Sequence, residues 1–280
     1  MSIKRFAALL STITVASVAL VGCSSEGDTT VAADCKPAHT FSTVSKGTLT
    51  VGVTDMPPQV TTTGEGGMGG IDADIIRLFA KAECTTITVQ TGNSAAVIPG
   101  VQQGRSDVAL GGWNRTKERS TIVSLSDPLY IDPLAIISAA GTDTIKALEG
   151  KTVGTVDGYN YVPSLKAVFG DKLKLYPTPV NMAQDLDAGR IDAAIDGAIA
   201  AAVTYNMDKF KVAVAQGDDR VPATQEAAQG ALVFNLGNAE LTKAFNEFLA
   251  GIRKDGTLAG ILKNHNVPAE VLETGDPRLI

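Results

Sequence analysis

An internal repeat constrains the fold of this chain more than any other feature of its sequence. Residues 104–112 (GRSDVALGG) recur as residues 189–197 (GRIDAAIDG), and upstream of each copy residues 50–55 (TVGVTD) recur as residues 152–157 (TVGTVD). Two echoes in the same order indicate two units of similar plan. Chance similarity between generic strands is the alternative interpretation.

Short β-rich runs alternate with helical periods along both units. The run 47–55 is followed by a helical period over 72–82, in which Ile75, Leu78 and Phe79 fall on one face. Strands that alternate with helices at this spacing predict parallel α/β sheets. Ligands bind beyond the carboxyl ends of strands in such sheets. Two lobes that face each other through those ends would enclose a small molecule and close like a hinge.

Composition limits the classes of function. With 280 residues, of which 44% are hydrophobic, the chain can bury the core of one large or two modest domains. A formal net charge of -6 argues against nucleic acid as a partner. His39 and His265 are too far apart in sequence to suggest a metal motif. We therefore expect neither a metal nor a cofactor.

The N-terminus has the pattern of a bacterial export signal. Lys4 and Arg5 precede the apolar run 6–21, and the sequence 20–23 (LVGC) fits a lipobox, so residues 1–22 are predicted to be a signal peptide and Cys23 to carry a lipid. A short transmembrane helix is the alternative. We expect the mature protein to be extracytoplasmic and anchored to the membrane, with residues 23–46 as a lipidated tether whose part 24–33 is small and polar.

Two cysteines remain after the lipobox, Cys35 and Cys84. In an exported protein they could form one disulfide. Two unpaired thiols are the alternative.

Residues 107–130 hold the most specific candidate for a ligand site. An apolar run at 108–110 predicts a buried strand, and Gly111 and Gly112 let backbone approach a ligand. A polar turn over 113–116 is predicted next, and Thr116 then fits the N-cap of a helix that carries Arg119. Free backbone donors at a helix start, with a guanidinium one turn on, favour a carboxylate. The alternative for Arg119 is a surface helix arginine.

A family resemblance follows from motifs that occur in order behind the lipobox: GIDADI at 70–75, GRSD at 104–107, TKER at 116–119, SDPLY at 126–130, GRIDAAID at 189–196 and DGT at 255–257. From about residue 47 to residue 265 the chain resembles the extracytoplasmic solute-binding proteins of ABC importers, in the polar amino-acid branch. The resemblance implies an α/β fold of the type II periplasmic-binding-protein kind, a two-lobed clamshell with two parallel or mixed sheets and a two-strand hinge. Lobe 1 would comprise residues 47–130 and 230–280, and lobe 2 residues 134–226, with hinge strands near 130–133 and 227–230.

The resemblance also implies ligand contacts. Arg119 matches the arginine that pairs with the ligand α-carboxylate, and Asp196 matches the acid that takes the α-ammonium. The remaining matches are Gly112 and Asn114 at the carboxylate end, Asp55 toward the ligand side chain, and Gly158 and Tyr159 in the lobe 2 loop. For Asp196 a helix N-cap and for Asp55 a turn cap are the alternatives.

Departures from the family pattern predict unusual pocket chemistry. Tyr159 replaces a threonine, and Trp113 stands where a small aliphatic residue is common. Trp113, Tyr159 and also Tyr161 could stack on a ligand or hold a cation. Core packing is the alternative for each.

The predicted function is capture of an amino acid or similar small zwitterion by hinge closure, as the lipid-anchored binding component of an ABC importer. The expected partners are that small molecule, the ABC permease and the membrane, and the protein is expected to be a monomer rather than an enzyme. An exported enzyme on the same fold, similar to a cyclohexadienyl dehydratase, is the main alternative, with Asp55 or Asp157 as its general acid. A sensor domain is a third interpretation.

Overall fold

The computed structural model describes residues 31–63, 67–267 and 269–280. The predicted signal peptide 1–22 and the predicted lipidation site Cys23 lie outside these residues. The described part contains two β-sheets, each accompanied by helices. No helix within it is long and apolar enough to cross a membrane.

The strands, in chain order, are β1 (Thr48–Val53), β2 (Thr86–Thr91), β3 (Val108–Asn114), β4 (Val123–Leu125), β5 (Tyr130–Asp132), β6 (Leu134–Ser138), β7 (Val153–Val156), β8 (Leu173–Tyr176), β9 (Ala193–Gly197), β10 (Lys211–Val214) and β11 (Ala228–Asn235). The first sheet has the order β2-β1-β3-β11-β4, with β5 paired to β11. The second has the order β10-β6-β9-β7-β8. Both sheets are mixed, because β11 and β6 run antiparallel to their neighbours.

The helices are α1 (Ile71–Ala82), α2 (Ser94–Gln102), α3 (Lys117–Ser120), α4 (Val162–Phe169), α5 (Pro179–Asp187), α6 (Ala198–Thr204), α7 (Ala239–Lys254) and α8 (Thr257–Asn264). The amphipathic α1 packs its apolar face into the hydrophobic core that α1, α7 and α8 form with the first sheet. In this core the ring of Phe79 lies 5.4 Å from that of Phe245 in α7. Thr116 caps α3 as predicted, because its hydroxyl accepts a hydrogen bond from Arg119 N at 3.1 Å.

The sequence repeat corresponds to a repeated structural unit. In the first sheet Val51 of β1 pairs with Val108 of β3, and in the second Val153 of β7 pairs with Ala193 of β9, both in parallel register. The aspartate of each GR-x-D segment accepts the same hydrogen bond from the backbone near the start of the neighbouring strand. Asp107 Oδ2 accepts from Thr50 N at 2.7 Å, and Asp192 Oδ2 accepts from Thr152 N at 2.7 Å. The two sheets therefore present their strand ends in the same way.

The chain passes between the sheets at Pro133, which joins β5 to β6, and again between β10 and β11. At this place β5 and β11 lie side by side, with Asp132 opposite Ala228 and Tyr130 opposite Gly230. Two adjacent strands of the first sheet thus flank the crossings: β5 directly precedes the first, and β11 follows the second.

The segment before β1 is docked on the first sheet. Cys35 and Cys84 form a disulfide with their Cα atoms 5.8 Å apart. The ring of Phe41 stacks on that of Phe79 at 5.9 Å, and Val44 N donates to an oxygen of Asp107. Within the predicted tether 23–46, residues 35, 41 and 44 therefore contact the domain, through the disulfide, the ring of Phe41 and the backbone of Val44.

The predicted polar turn over 113–116 is wrong for its first two residues. Strand β3 continues through Gly111, Gly112, Trp113 and Asn114, because β11 pairs with Trp113 and Asn114. Long-range pairing thus overrides the local preference of a Gly-Gly sequence for a turn. The polar residues that follow the apolar run consequently sit at the carboxyl end of a central strand.

Candidate functional site

A cavity of about 30 Å³ lies where the carboxyl ends of strands from both sheets face each other. Its walls come from residues of the first sheet, the hinge and the second sheet: Met56, Gln59, Gly111, Gly112, Trp113, Asn114, Arg119, Asp132, Leu134, Tyr159, Asn160, Tyr161, Asp196, Gly197, Ala200, Ala223 and Ala228. Strand ends of open α/β sheets are where such folds place ligands. The cavity is narrow, so a solute the size of an amino acid enters only when the sheets move apart.

Arg119 places a buried positive charge on one wall of the cavity. The residue is 9% exposed, and its Nη1 donates to Asn114 O at 2.8 Å. Burial lowers the pKa of Arg119 to about 10, so the guanidinium remains charged at neutral pH. Across residues 31–63, 67–267 and 269–280 it makes no ion pair with a carboxylate. A buried cation without a counter-charge is costly, and an anionic ligand group would offset that cost.

Trp113 adds a second donor on the same wall. The guanidinium of Arg119 lies over the indole ring, 5.4 Å from its centroid. The indole is 2% exposed and packs in an apolar cluster with Val97, Val123 and Val233. Its Nε1 is buried and has no acceptor in the described part of the chain. Trp113 therefore serves core packing and lines the cavity at once.

Asp196 places a buried negative charge in the cavity from the second sheet. The hydroxyls of Tyr159 and Tyr205 donate to its two oxygens at 3.0 and 3.1 Å, and Gly197 N donates to Oδ1 at 2.8 Å. Burial raises the pKa of Asp196 to about 6, although these hydrogen bonds act in the opposite direction. The carboxylate is fully buried and is held in place by three donors.

Asp132 brings a second carboxylate to the same cavity, from the end of hinge strand β5. Its Oδ1 accepts from Ile199 N at 2.9 Å, and its Oδ2 accepts from Gln59 Nε2 at 3.3 Å. Burial, and in addition the charge of Asp196, raises the pKa of Asp132 to about 7. A Cβ atom on Gly197 would overlap Asp132 Oδ2, so glycine at 197 gives this acid its space.

Asp72 fixes the backbone of β3 where this strand reaches the cavity. The N–H groups of Gly111 and Gly112 both donate to its Oδ2, at 3.0 and 2.9 Å, and the hydroxyl of Tyr130 in β5 donates to Oδ1 at 3.0 Å. The φ of +58° at Gly112, and the place of a Cβ there 2.8 Å from Gln59 Cγ, require glycine. The amide of Gly112 is thus engaged by Asp72.

Direct contacts join the two sides of the cavity. Asn114 Nδ2 donates to Asn160 Oδ1 at 2.9 Å, and Arg119 Nη2 approaches Gly158 O at 3.5 Å. A Cβ on Gly158 would lie 3.1 Å from Ala95 N in α2. The two sheets are therefore in a closed arrangement, with Gly158 at their contact.

Comparison with known proteins places this site in a family. Residues 49–267 match the family model for bacterial extracellular solute-binding proteins, family 3. The chain belongs to this family. The L-cystine-binding protein TcyJ of Escherichia coli (strain K12) is 28% identical over 225 residues, which cover 77% of this chain and 81% of that protein.

Solved structures share the fold of this solute-binding protein. An ancestral arginine-binding protein bound to arginine is 27% identical with a TM-score of 0.68, over 78% of this chain and 98% of that one. The ancestral amino-acid-binding protein AncCDT-1, a precursor of cyclohexadienyl dehydratase, is 23% identical with a TM-score of 0.68, over 78% and 95%. The two-sheet α/β architecture is that of the type II periplasmic binding proteins, as the sequence predicted.

The structure brings most of the predicted site residues of this solute-binding protein together. Arg119, Asp196, Gly112, Trp113, Asn114 and Tyr159 line the cavity. Gly158 touches it only through the contact with Arg119. Asp55 is not among the lining residues, and its Oδ1 accepts from Thr62 N at 3.1 Å, as a turn cap does.

Sequence reasoning missed Asp132, Gln59 and Asn160 as cavity residues, whereas Tyr161, a candidate for stacking on the ligand, does line the cavity. Asp132 precedes Pro133 in a predicted hinge strand, and an acid at that place was a usable signal. Gln59 and Asn160 offered none, because they reach the cavity only through loop geometry that no periodicity encodes.

Proposed function

We propose that this solute-binding protein captures an amino acid or similar small zwitterion between two lobes and delivers it to an ABC importer. Arg119 would hold the α-carboxylate, and Asp196 would hold the α-ammonium. The supporting observation is that a buried guanidinium and a buried carboxylate, neither paired with an opposite charge among the residues described, line one cavity from opposite sheets. A dipolar solute satisfies both charges at once.

Capture would proceed by opening and closing of the lobes. We assign residues 47–130 and 230–280 to lobe 1, residues 134–226 to lobe 2, and the hinge to 130–133 and 227–230. Splitting the two ligand charges between lobes makes the closed state depend on ligand, because only the closed state can satisfy both ends. Gly112, Asn114, Gly158 and Tyr159 would shape the closed cavity, and Asp55 would act, if at all, from outside it.

We further propose the cellular setting. Residues 1–22 would be removed as a signal peptide, Cys23 would carry the lipid, and the single protomer would work outside the cytoplasmic membrane beside its permease. The family to which the chain belongs is one of bacterial extracellular proteins, which supports this setting. Metabolic labelling with an alkynyl fatty acid tests the anchor: Cys23→Ala should lose the label.

A thermal-shift screen of amino acids, followed by calorimetry, tests the capture of a zwitterion. Ligand bound to the folded state raises the melting temperature by mass action. Arg119→Met keeps the apolar stem that packs on Trp113 but removes charge-assisted hydrogen bonds of about 1.5–3 kcal/mol each, so affinity should fall roughly 100-fold or more. The matched control is Arg190→Met, which removes an exposed pair with Asp185. Unchanged affinity in Arg119→Met would refute the carboxylate contact.

An enzyme on the same fold is a second candidate, because the raised pKa of Asp132, about 7, suits a general acid at neutral pH. Mass spectrometry after incubation separates the candidates. A binding protein returns its ligand unchanged, whereas a dehydratase returns a product lighter by one water.

A further inference from the structure

We propose that Asp132 and Gln59 form a second cation-binding subsite in this cavity, so that the captured amino acid carries a positively charged side chain. The inference rests on the proposed function, because it takes Arg119 and Asp196 as the contacts of the ligand α-groups. It adds a residue pair from the hinge strand and from the loop that follows β1.

The charges of the cavity do not balance for a neutral amino acid. Arg119 supplies one buried positive charge, and Asp132 and Asp196, once ionised, supply two buried negative ones, with relative exposures of 9%, 8% and 0%. Within the described ranges no lysine, arginine or histidine pairs with either acid. A zwitterionic ligand neutralises the charges of Arg119 and Asp196 and leaves the charge of Asp132 without a counter-charge. A second cationic group on the ligand offsets the remaining charge.

Two acceptor atoms, one on Asp132 and one on Gln59, lack a strong donor among the described residues. Asp132 Oδ1 accepts from Ile199 N, while among the described side chains the donor to Oδ2 is Gln59 Nε2, at a long 3.3 Å. Gln59 is 1% exposed, lines the cavity, and its Oε1 has no donor in the described part of the chain. An ammonium or guanidinium group offers several donors and no acceptor. Such a group matches Asp132 Oδ2 and Gln59 Oε1 together.

Capping of α6 does not account for the charge of Asp132. The cap uses the backbone N–H groups at the start of α6, that of Ile199 at 2.9 Å from Oδ1 and that of Ala198, and asparagine serves in that role as well as aspartate. The negative charge and the second oxygen are therefore in excess of what the helix requires. Glycine at 197 makes room for this oxygen beside Asp196, which keeps both carboxylates at one end of the cavity.

Isothermal titration with arginine and its neutral isostere citrulline tests the subsite. We expect the purified protein to bind arginine at least 10-fold tighter than citrulline. Asp132→Asn keeps the acceptor for Ile199 N and removes the charge, so it should cut this ratio to about threefold or less, by weakening arginine binding only. Circular dichroism of the variant checks that the fold is intact. Lysine and norleucine form a second matched pair.

Three results would overturn the subsite. These are citrulline binding as tight as arginine binding in the unmodified protein, an equal loss of both ligands in Asp132→Asn, or a loss of the preference in Asp55→Asn instead. Arg119→Met distinguishes this failure from that of the proposed function. If Arg119→Met abolishes binding of all amino acids while Asp132→Asn changes no preference, the zwitterion site stands and the cation subsite falls.

Discussion

Replacing Asp132 by asparagine should stabilise the ligand-free protein at alkaline pH. The pKa of Asp132 is about 7, against about 3.9 for an exposed aspartate, because burial and Asp196 disfavour its charge. A difference of about three pH units corresponds to roughly 4 kcal/mol between the protonated and ionised forms. The stability that comes from the raised pKa is present below about pH 4 and is lost as pH rises through 7.

Asparagine removes the charge and can keep the contacts. Its Oδ1 accepts from Ile199 N, and a flip of the Gln59 amide presents the otherwise unpartnered Oε1 to the new Nδ2 group. We expect about half of the electrostatic cost to be recovered, or about 2 kcal/mol at pH 8. For a chain of this size that is a rise of about 4–8 °C in melting temperature.

Calorimetric melting at pH 4.5 and pH 8 measures the effect on protein refolded after removal of bound amino acids, since ligand would itself raise the melting temperature. The variant should be more stable than the unmodified protein at pH 8 and nearly equal to it at pH 4.5. A variant that is less stable at pH 8, or a difference that does not vary with pH, would show that the charge of Asp132 is already compensated.

Three further predictions concern the frame around the site. Asp72→Ala leaves the buried amide of Gly111, the half-buried amide of Gly112 and a tyrosine hydroxyl without their acceptor, so chemical denaturation should show a loss of about 3 kcal/mol or more, whereas Asp72→Asn should lose less. Reduction of the Cys35–Cys84 bridge, which spans 49 residues, should lower the unfolding free energy by up to about 4 kcal/mol, and no change on adding reductant would contradict this. Hydrogen bonds to Glu83 first, and also to Glu247, raise the pKa of His39, so His39→Gln should cost more stability at pH 5.5 than at pH 8.5, and an equal cost would count against the cluster.

The repeat in the sequence was sufficient to predict the two-sheet fold, because each copy contains an aspartate that bonds the backbone of a strand in its own sheet. The aspartate of GRSD and that of GRID each bond the backbone of the TVG strand of their own sheet, as Asp107 does to Thr50. The helix with a clear apolar period also matched well, because α1 spans residues 71–82 and the predicted period spans residues 72–82. Such features depend on neighbours in sequence or on simple periodicity.

The site was less accessible to prediction, because its residues meet only when the two sheets close. Arg119 was found from the helix start that presents it, and Asp196 from the family resemblance of the segment GRIDAAID at 189–196. Asp55 also stands at the end of a predicted strand, but its carboxylate accepts a hydrogen bond from Thr62 N within a turn. Asp132 and Gln59 approach each other across 73 residues of chain, and no local pattern carries that contact.

The most direct test of the central claim is the affinity ratio between the tightest-binding amino acid and its decarboxylated amine, which for arginine is agmatine. If Arg119 holds the α-carboxylate, calorimetry on the unmodified protein should give a ratio of about 100 or more, since charge-assisted bonds of about 1.5–3 kcal/mol each are lost with the carboxylate. In Arg119→Met the ratio should fall to within about threefold of one. An amine that binds the unmodified protein as tightly as the amino acid would contradict the account.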